Sequence, residues 1–371
     1  MSSRTADVVI VGAGFAGAAT AYQLARRGVR EIVVVDQEAR PGMHSSGRNA
    51  ALGRQVVNDA EIRSLAIEGT RFMAEPPSGF PVREYLKATG SLIAANGGEA
   101  EALRTTLPAL REAGVSAEWV TLATARQLVP VIDGAAFEGA VYCRQDGIID
   151  IAALLDGFLR ASGARLLLSR RVLAVETANG KVIAVTTDHD ERIETRTLVN
   201  AAGAWANSIA SLAGLAPLPL RPCRRHIVVT GPLDWVDPTW PYVWDVTRQV
   251  YFRPEAPGLL LSPCDETEQP PGDALVDDAA LALLAEKLDQ AFPRLADLPI
   301  QRTWAGQRTL TPDGRFVIGA DPRLDGFVWC AGLGGHGVTT SPAVGRLAAE
   351  AIVDGKSAAA HAPSRFVGGA K

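Results

Sequence analysis

A chain of 371 residues exceeds the usual single-domain size, so two domains are expected. Hydrophobic residues make up 47% and charged residues 21%, which excludes a disordered or fibrous chain and implies a compact globular one. The formal net charge is -4 and no Lys/Arg block stands out, so nucleic acid is not an expected partner.

Met1 leads through mostly polar residues straight into an apolar strand, without the charged region, apolar stretch and cleavage site of a secretory leader. Cytoplasmic residence is therefore expected. No apolar run approaches the roughly 18 to 20 residues of a transmembrane segment, so none is expected. Residues 7–11 are almost wholly apolar and β-branched, as in a parallel strand buried on both faces. A helix is predicted over 16–27, stopped by Gly28, and residues 31–36 form a second buried strand that closes a βαβ unit.

From Phe80 to about Tyr142 the pattern changes to short mixed segments, with an alternating strand over 90–95 and a polar helix from about Glu99 to Ala113; it reads as an insertion. A helix is predicted over 149–162, with strand material over 164–175, 182–187 and 193–200. Strand candidates at 224–230, 249–253 and 258–262, joined by Pro- and Gly-containing turns, predict an antiparallel sheet. A last apolar strand over 327–331 precedes the glycine loop 332–337 and an amphipathic helix over 341–353. The expected fold is thus α/β with α+β character: a Rossmann-type cofactor domain from residues 1–79, 143–222 and 303–371, and an antiparallel-sheet substrate domain from 80–142 and 223–302. Cys143, Cys223, Cys264 and Cys330 form no CxxC pair, which argues against a metal site and for reduced, buried thiols.

Gly12, Gly14 and Gly17 form GxGxxG between strand and helix, and Asp36 ends the next strand about twenty residues on. Gly12 suits a tight turn, Gly14 close backbone approach to a pyrophosphate, and Gly17 helix–strand packing, while the helix N-terminus faces the phosphate charge. Asp36 is placed to accept hydrogen bonds from an adenosine ribose and would repel the 2′-phosphate of NADP. FAD and NAD share this fingerprint, so the choice rests on other segments.

Three segments decide it: Pro41-Gly-Met-His-Ser-Ser-Gly-Arg-Asn-Ala-Ala51, Leu198-Val-Asn-Ala-Ala-Gly-Ala-Trp205 and Gly332-Leu-Gly-Gly-His-Gly-Val338. Together they resemble the D-amino-acid oxidase superfamily, in particular its glycine oxidase, sarcosine oxidase and D-arginine dehydrogenase-like branch, over nearly the whole chain. The resemblance implies FAD held by Gly12, Gly14, Phe15, Ala16, Gly17, Asp36, Gln37, His44, Ser45, Ser46, Arg48, Asn49, Ala50, Ala51, Val172, Ala201, Gly203, Trp205, Gly306, Arg308, Gly334, Gly335, His336, Gly337 and Val338. The relatives' attachment cysteine is missing from 303–313, and the HSSGRN context of His44 resembles the non-covalent branch, so dissociable FAD is expected.

An amino-acid substrate presents a carboxylate, best held by a bidentate Arg with a Tyr hydroxyl. Taken alone, Arg308 reads as a surface salt bridge; the resemblance matches it to the family's carboxylate-binding Arg and Tyr251 to its partner. Alternation over 249–253 sets Gln249, Tyr251 and Arg253 on one face, which lines a pocket or simply faces solvent. Only one of Arg224 and Arg225 can face that pocket, and Arg224 is chosen. His336 in the glycine loop either contacts substrate or flavin or is bonded to backbone. His189, between Asp188 and Asp190, is assigned no role.

Departures from the relatives narrow the substrate. D-arginine dehydrogenase-like proteins carry a His and a Tyr where this chain has Ala51-Leu-Gly-Arg-Gln-Val-Val57, and a glutamate where Ser91 stands, which argues against D-arginine. The oxygen-promoting lysine of sarcosine oxidases has no match over 258–262, which leans toward a dehydrogenase. The first reading is oxidation of the C–N bond of a small amino or imino acid, foremost a D-amino acid. The electron acceptor is left open between quinone, oxygen and a partner protein. The alternatives are an electron-transfer subunit of an opine dehydrogenase or hydrogen cyanide synthase-like complex, or a sarcosine/glycine oxidase-type oxidase. A flavin-bearing RNA-modifying module is disfavoured by the acidic balance.

Overall fold

The computed structural model describes residues 3–81 and 84–367. Met1 and Ser2, read above as part of a leaderless start, and residues 368–371, assigned to the cofactor domain, lie outside the described residues. A six-stranded sheet takes the order Arg165–Leu167, Ile32–Val35, Val8–Val11, Leu198–Asn200, Phe327–Ala331, Val317–Ala320. The first five strands are parallel and the last pairs antiparallel. Along Val8–Val11 the side chains of Val9 and Val11 enter one core, with Leu198 and Trp329. Val8 and Ile10 enter the core on the other face, with Val34 and Val328. Burial on both faces explains why these strands read as unbroken apolar runs.

Helix Phe15–Arg26 lies against this sheet beside helix Ser341–Val353. Their backbones touch where Gly345 meets Ala19, since a Cβ on Gly345 would collide with the Ala19 carbonyl. The predicted strand over 164–175 is two strands, Arg165–Leu167 and Val172–Ala178, parted at Ser169, whose φ is +52°. The predicted strand over 193–200 is likewise split: Arg192–Glu194 belongs to a four-stranded sheet with Ser3–Thr5, Lys181–Thr187 and Val172–Ala178, and Leu198–Asn200 to the large parallel one. Helix Ile151–Ser162 starts two residues later than expected because the Asp150 side chain caps it, accepting from Ala153 N, and Ile149 ends strand Gly147–Ile149 instead.

The second large sheet has eight strands: Ile300–Leu310, Arg221–Thr230, Gly258–Ser262, Val250–Glu255, Tyr242–Asp245, Ser91–Ala95, Gly139–Cys143 and Ala117–Thr121. It is antiparallel except that Tyr242–Asp245 runs parallel to Ser91–Ala95. The segment read as an insertion supplies three of these strands. Alternation was expected over 90–95, yet all five residues of Ser91–Ala95 are buried, because Leu92 and Ala94 enter one core and Ile93 and Ala95 another, under helix Gly97–Glu112. Gln249 has φ +53° and is exposed outside strand Val250–Glu255, so it does not share the face of Tyr251 and Arg253. The boundaries expected at 222/223 and 302/303 both fall inside continuous strands, Arg221–Thr230 and Ile300–Leu310. All four cysteines are buried and unpaired. Among the described residues no helix is long and apolar enough to cross a membrane.

Candidate active site

A cleft of about 600 Å³ opens at the C-terminal ends of the parallel strands, where the strand order leaves a crevice for a ligand. Gly12, Gly14, Phe15, Ala16, Asp36, Gln37, His44, Ser45, Ser46, Arg48, Asn49, Val172, Ala201, Gly203, Trp205, Gly306, Arg308, Gly334, Gly335, Gly337 and Val338 line it. Gly17 lies beneath, where a Cβ would strike the Gly12 carbonyl. Gly12 has φ +111° and leaves no room for a Cβ against the Ala201 carbonyl, so the turn demands glycine on both counts. The helix from Phe15 then presents its N-terminus to the cleft, a ready site for phosphate charge.

Asp36 is gripped by backbone, its Oδ2 accepting from Ala13 N at 2.6 Å and its Oδ1 from Glu38 N at 2.8 Å. Burial pushes its pKa above the ordinary carboxylate value against these two bonds. His44 Nε2 meets Glu38 Oε1 at 2.9 Å and its ring lies 4.5 Å from Trp205, so the imidazole is occupied as a bridge between two walls. The loop after it is self-bound: Asn49 Nδ2 donates to Ser46 O at 2.8 Å, and its Oδ1 accepts from Ala51 N at 2.7 Å with Ala51 at φ +58°. Ser45 donates to the Gln307 carbonyl, tying this loop to strand Ile300–Leu310. Arg48 pairs with Asp273 at 3.1 Å, on the segment 272–274 that also lines the cleft.

Beyond the cleft lies a small pocket of about 60 Å³ lined by Ala50, Ala51, Arg54, Trp244, Tyr251, Arg308 and His336, among others. Arg308 lines both spaces. Burial, then the neighbouring Arg225 charge, lowers its pKa to about 10, which still leaves it cationic at neutral pH. A Cβ on Gly335 would come within 2.9 Å of the Arg308 Cζ, so this glycine makes room for the guanidinium. The Tyr251 hydroxyl is buried without a hydrogen-bond partner. Adjacent Ser262 donates to the His226 carbonyl at 2.7 Å instead. Burial, then the Arg54 and Arg308 charges, holds His336 well below the usual imidazole pKa, so it is neutral.

Of Arg224 and Arg225 one faces the cleft, as alternation requires, but it is Arg225. Arg225 pairs across from Gly306 and lines the cleft, whereas Arg224 pairs across from Gln307 and binds Asp277 at 2.7 Å, away from it. Arg224 is therefore withdrawn from the site and Arg225 takes its place. Ser91 is not on the small pocket either; its hydroxyl donates to buried Asp146 at 2.7 Å. Arg54 and Trp244 were missed by sequence reasoning. The one available signal was an arginine inside the otherwise uncharged run 50–57.

A glycine-cradled cleft of dinucleotide size, with a small cationic pocket beside it, defines a nucleotide-cofactor oxidoreductase, and comparison with known proteins narrows it. Residues 7–351 match the family described as DAO, FAD dependent oxidoreductase, and the chain belongs to that family. Its cofactor is FAD. The chain is 27% identical to the hydrogen cyanide synthase subunit HcnC of Pseudomonas aeruginosa, covering 93% of this chain and 92% of that protein. It is 26% identical to mitochondrial sarcosine dehydrogenase of Mus musculus over 95% of this chain but only 40% of that longer protein. Among solved structures, the L-proline dehydrogenase of P. horikoshii superposes with a TM-score of 0.86 at 27% identity over 99% of both chains.

Proposed function

We propose that the chain oxidises the C–N bond of a small amino or imino acid, with a D-amino acid as first candidate. The observation that carries this reading is Arg308, a half-buried cation shared by cleft and pocket, beside an unpartnered Tyr251 hydroxyl. A planar guanidinium fork and a neutral donor converging on one small space are what a carboxylate requires. Residues lining the large cleft would hold non-covalent FAD, the helix from Phe15 facing its pyrophosphate and Asp36 its ribose. When bound, FAD supplies a hydride acceptor.

Arg308 and Tyr251 would fix the substrate carboxylate so that its Cα–H points toward the cleft, and the contribution of these residues is positioning. His336 is neutral and next to two guanidinium groups, so it does not hold a proton for the substrate amine. The amine gives its proton to solvent, and the imino acid product hydrolyses to an oxo acid. The likeness to an L-proline dehydrogenase supports an amino or imino donor. Arg308→Lys should retain fold and flavin while anaerobic flavin bleaching by carboxylate amines slows about ten- to a hundredfold in kcat/KM, the worth of a charged hydrogen bond. Wild-type rates in Arg308→Lys, with slow rates in Arg225→Lys, would place the carboxylate at Arg225.

A second reading, a flavin subunit working in a larger assembly, is favoured by the full-length likeness to a hydrogen cyanide synthase subunit. Gel filtration and turnover of the chain alone with artificial acceptors separate the two.

A further inference from the structure

The small pocket holds more positive charge than one carboxylate would neutralise. Arg54 also lines it, its guanidinium carbon 4.2 Å from the centre of the Trp244 ring, which in turn packs 5.0 Å from the Tyr251 ring. Its Nη2 reaches His336 Nε2 at 3.3 Å, the one hydrogen bond it makes among the described residues. No carboxylate pairs with Arg54 or with Arg308 among the described residues. The Asp146 carboxylate acts on Arg54 without pairing with it, and its oxygens accept from Gln55 N at 3.0 Å and Ser91 Oγ at 2.7 Å. By contrast, Arg225 has its own partner, Glu266, at 2.7 Å.

A half-buried cation with no carboxylate in contact is costly to keep, and stacking on an indole offsets only part of that cost. Two such cations on separate walls, both acting on the neutral His336 between them, call for two anionic groups. A single carboxylate on Arg308 and Tyr251 leaves most of the Arg54 fork unused. We propose that Arg54 binds a second carboxylate, so that the preferred substrate is a short dicarboxylic amino or imino acid. This rests on the carboxylate role of Arg308 given above. The pocket, about 60 Å³, holds only part of such a molecule, so the rest extends into the cleft that Arg308 also lines and the spacer between the two acids is short.

The test uses FAD-loaded protein and non-oxidisable probes, with binding followed by perturbation of the flavin spectrum. Malonate or succinate should bind about ten- to a hundredfold more tightly than acetate. Arg54→Gln should collapse that ratio toward one, and Arg54→Lys should restore part of it. Equal affinity of acetate and succinate for the wild type overturns the proposal without any variant, as does an Arg54→Gln protein that keeps the full ratio. Equal weakening of acetate and succinate in Arg54→Gln also overturns it, because both arginines would then hold one carboxylate. Anaerobic bleaching with aspartate, glutamate and iminodiacetate against glycine, alanine and sarcosine shows whether the second acid sits on the side chain or on the nitrogen. If monocarboxylate amines bleach the flavin through Arg308 with no dicarboxylate preference, only this inference fails. If no carboxylate binds and no amine bleaches it, the proposed function fails as well.

Discussion

Tyr251→Phe should act with opposite signs on stability and on catalysis. The Tyr251 ring is fully buried against Trp244, in a cluster with Ile227 and Leu260, so phenylalanine fills the same space and leaves no cavity. Its hydroxyl has no partner in the substrate-free protein, and a buried unsatisfied polar group costs about 1 to 3 kcal/mol. Deleting it should therefore raise substrate-free stability by up to that amount. The same deletion removes a donor to the substrate carboxylate, worth about 1 to 1.5 kcal/mol, or roughly five- to tenfold in kcat/KM. Urea unfolding of the holoprotein gives the first quantity and anaerobic flavin reduction across a substrate series the second. A phenylalanine variant that is less stable than wild type, yet reduced equally fast, would refute the reasoning.

Gly12→Ala combines a left-handed backbone with a collision against the Ala201 carbonyl, costs of about 1 to 3 kcal/mol each, and should purify with little flavin; a normal ratio of flavin absorbance to protein contradicts the assigned turn. Acid precipitation should release the FAD to the supernatant, because 303–313 offers no cysteine and His44 is held against Glu38; flavin left in the pellet means a covalent link. His336 has a depressed pKa and so is neutral at every pH above it. The pH profile of flavin reduction should therefore keep its shape between pH 6 and 8 in His336→Asn, and loss of an ionisation in that window would show that the histidine titrates there.

The parallel strands and the glycine turn could be read directly, because each is set by local chemistry: β-branched runs buried on both faces, and one glycine whose φ no other residue tolerates comfortably. Parity was legible at Arg224 and Arg225, but phase was not. Which of the two faces the cleft depends on pairing with Gly306, some eighty residues away. Residues 90–95 misled for a related reason, since helix Gly97–Glu112 covers a face that an edge strand would leave to solvent. Arg54 occupies a loop without periodicity, and only its contacts with Trp244 and His336 reveal it.

Strand Ile300–Leu310 carries Gly306 against the loop residue Arg48 and, two residues on, Arg308 into the small pocket. Alternation puts both on one face, about 7 Å apart. The proposed cofactor seat and carboxylate anchor are thereby graduations on a single ruler, and on that reading neither can be moved without displacing the other. A lineage that changes its substrate while keeping its flavin has to leave this wall alone. Its freedom lies across the pocket, in the loop of Arg54 and the strand of Trp244, where a substitution alters what the far end of the substrate meets and leaves the distance from anchor to flavin as it was.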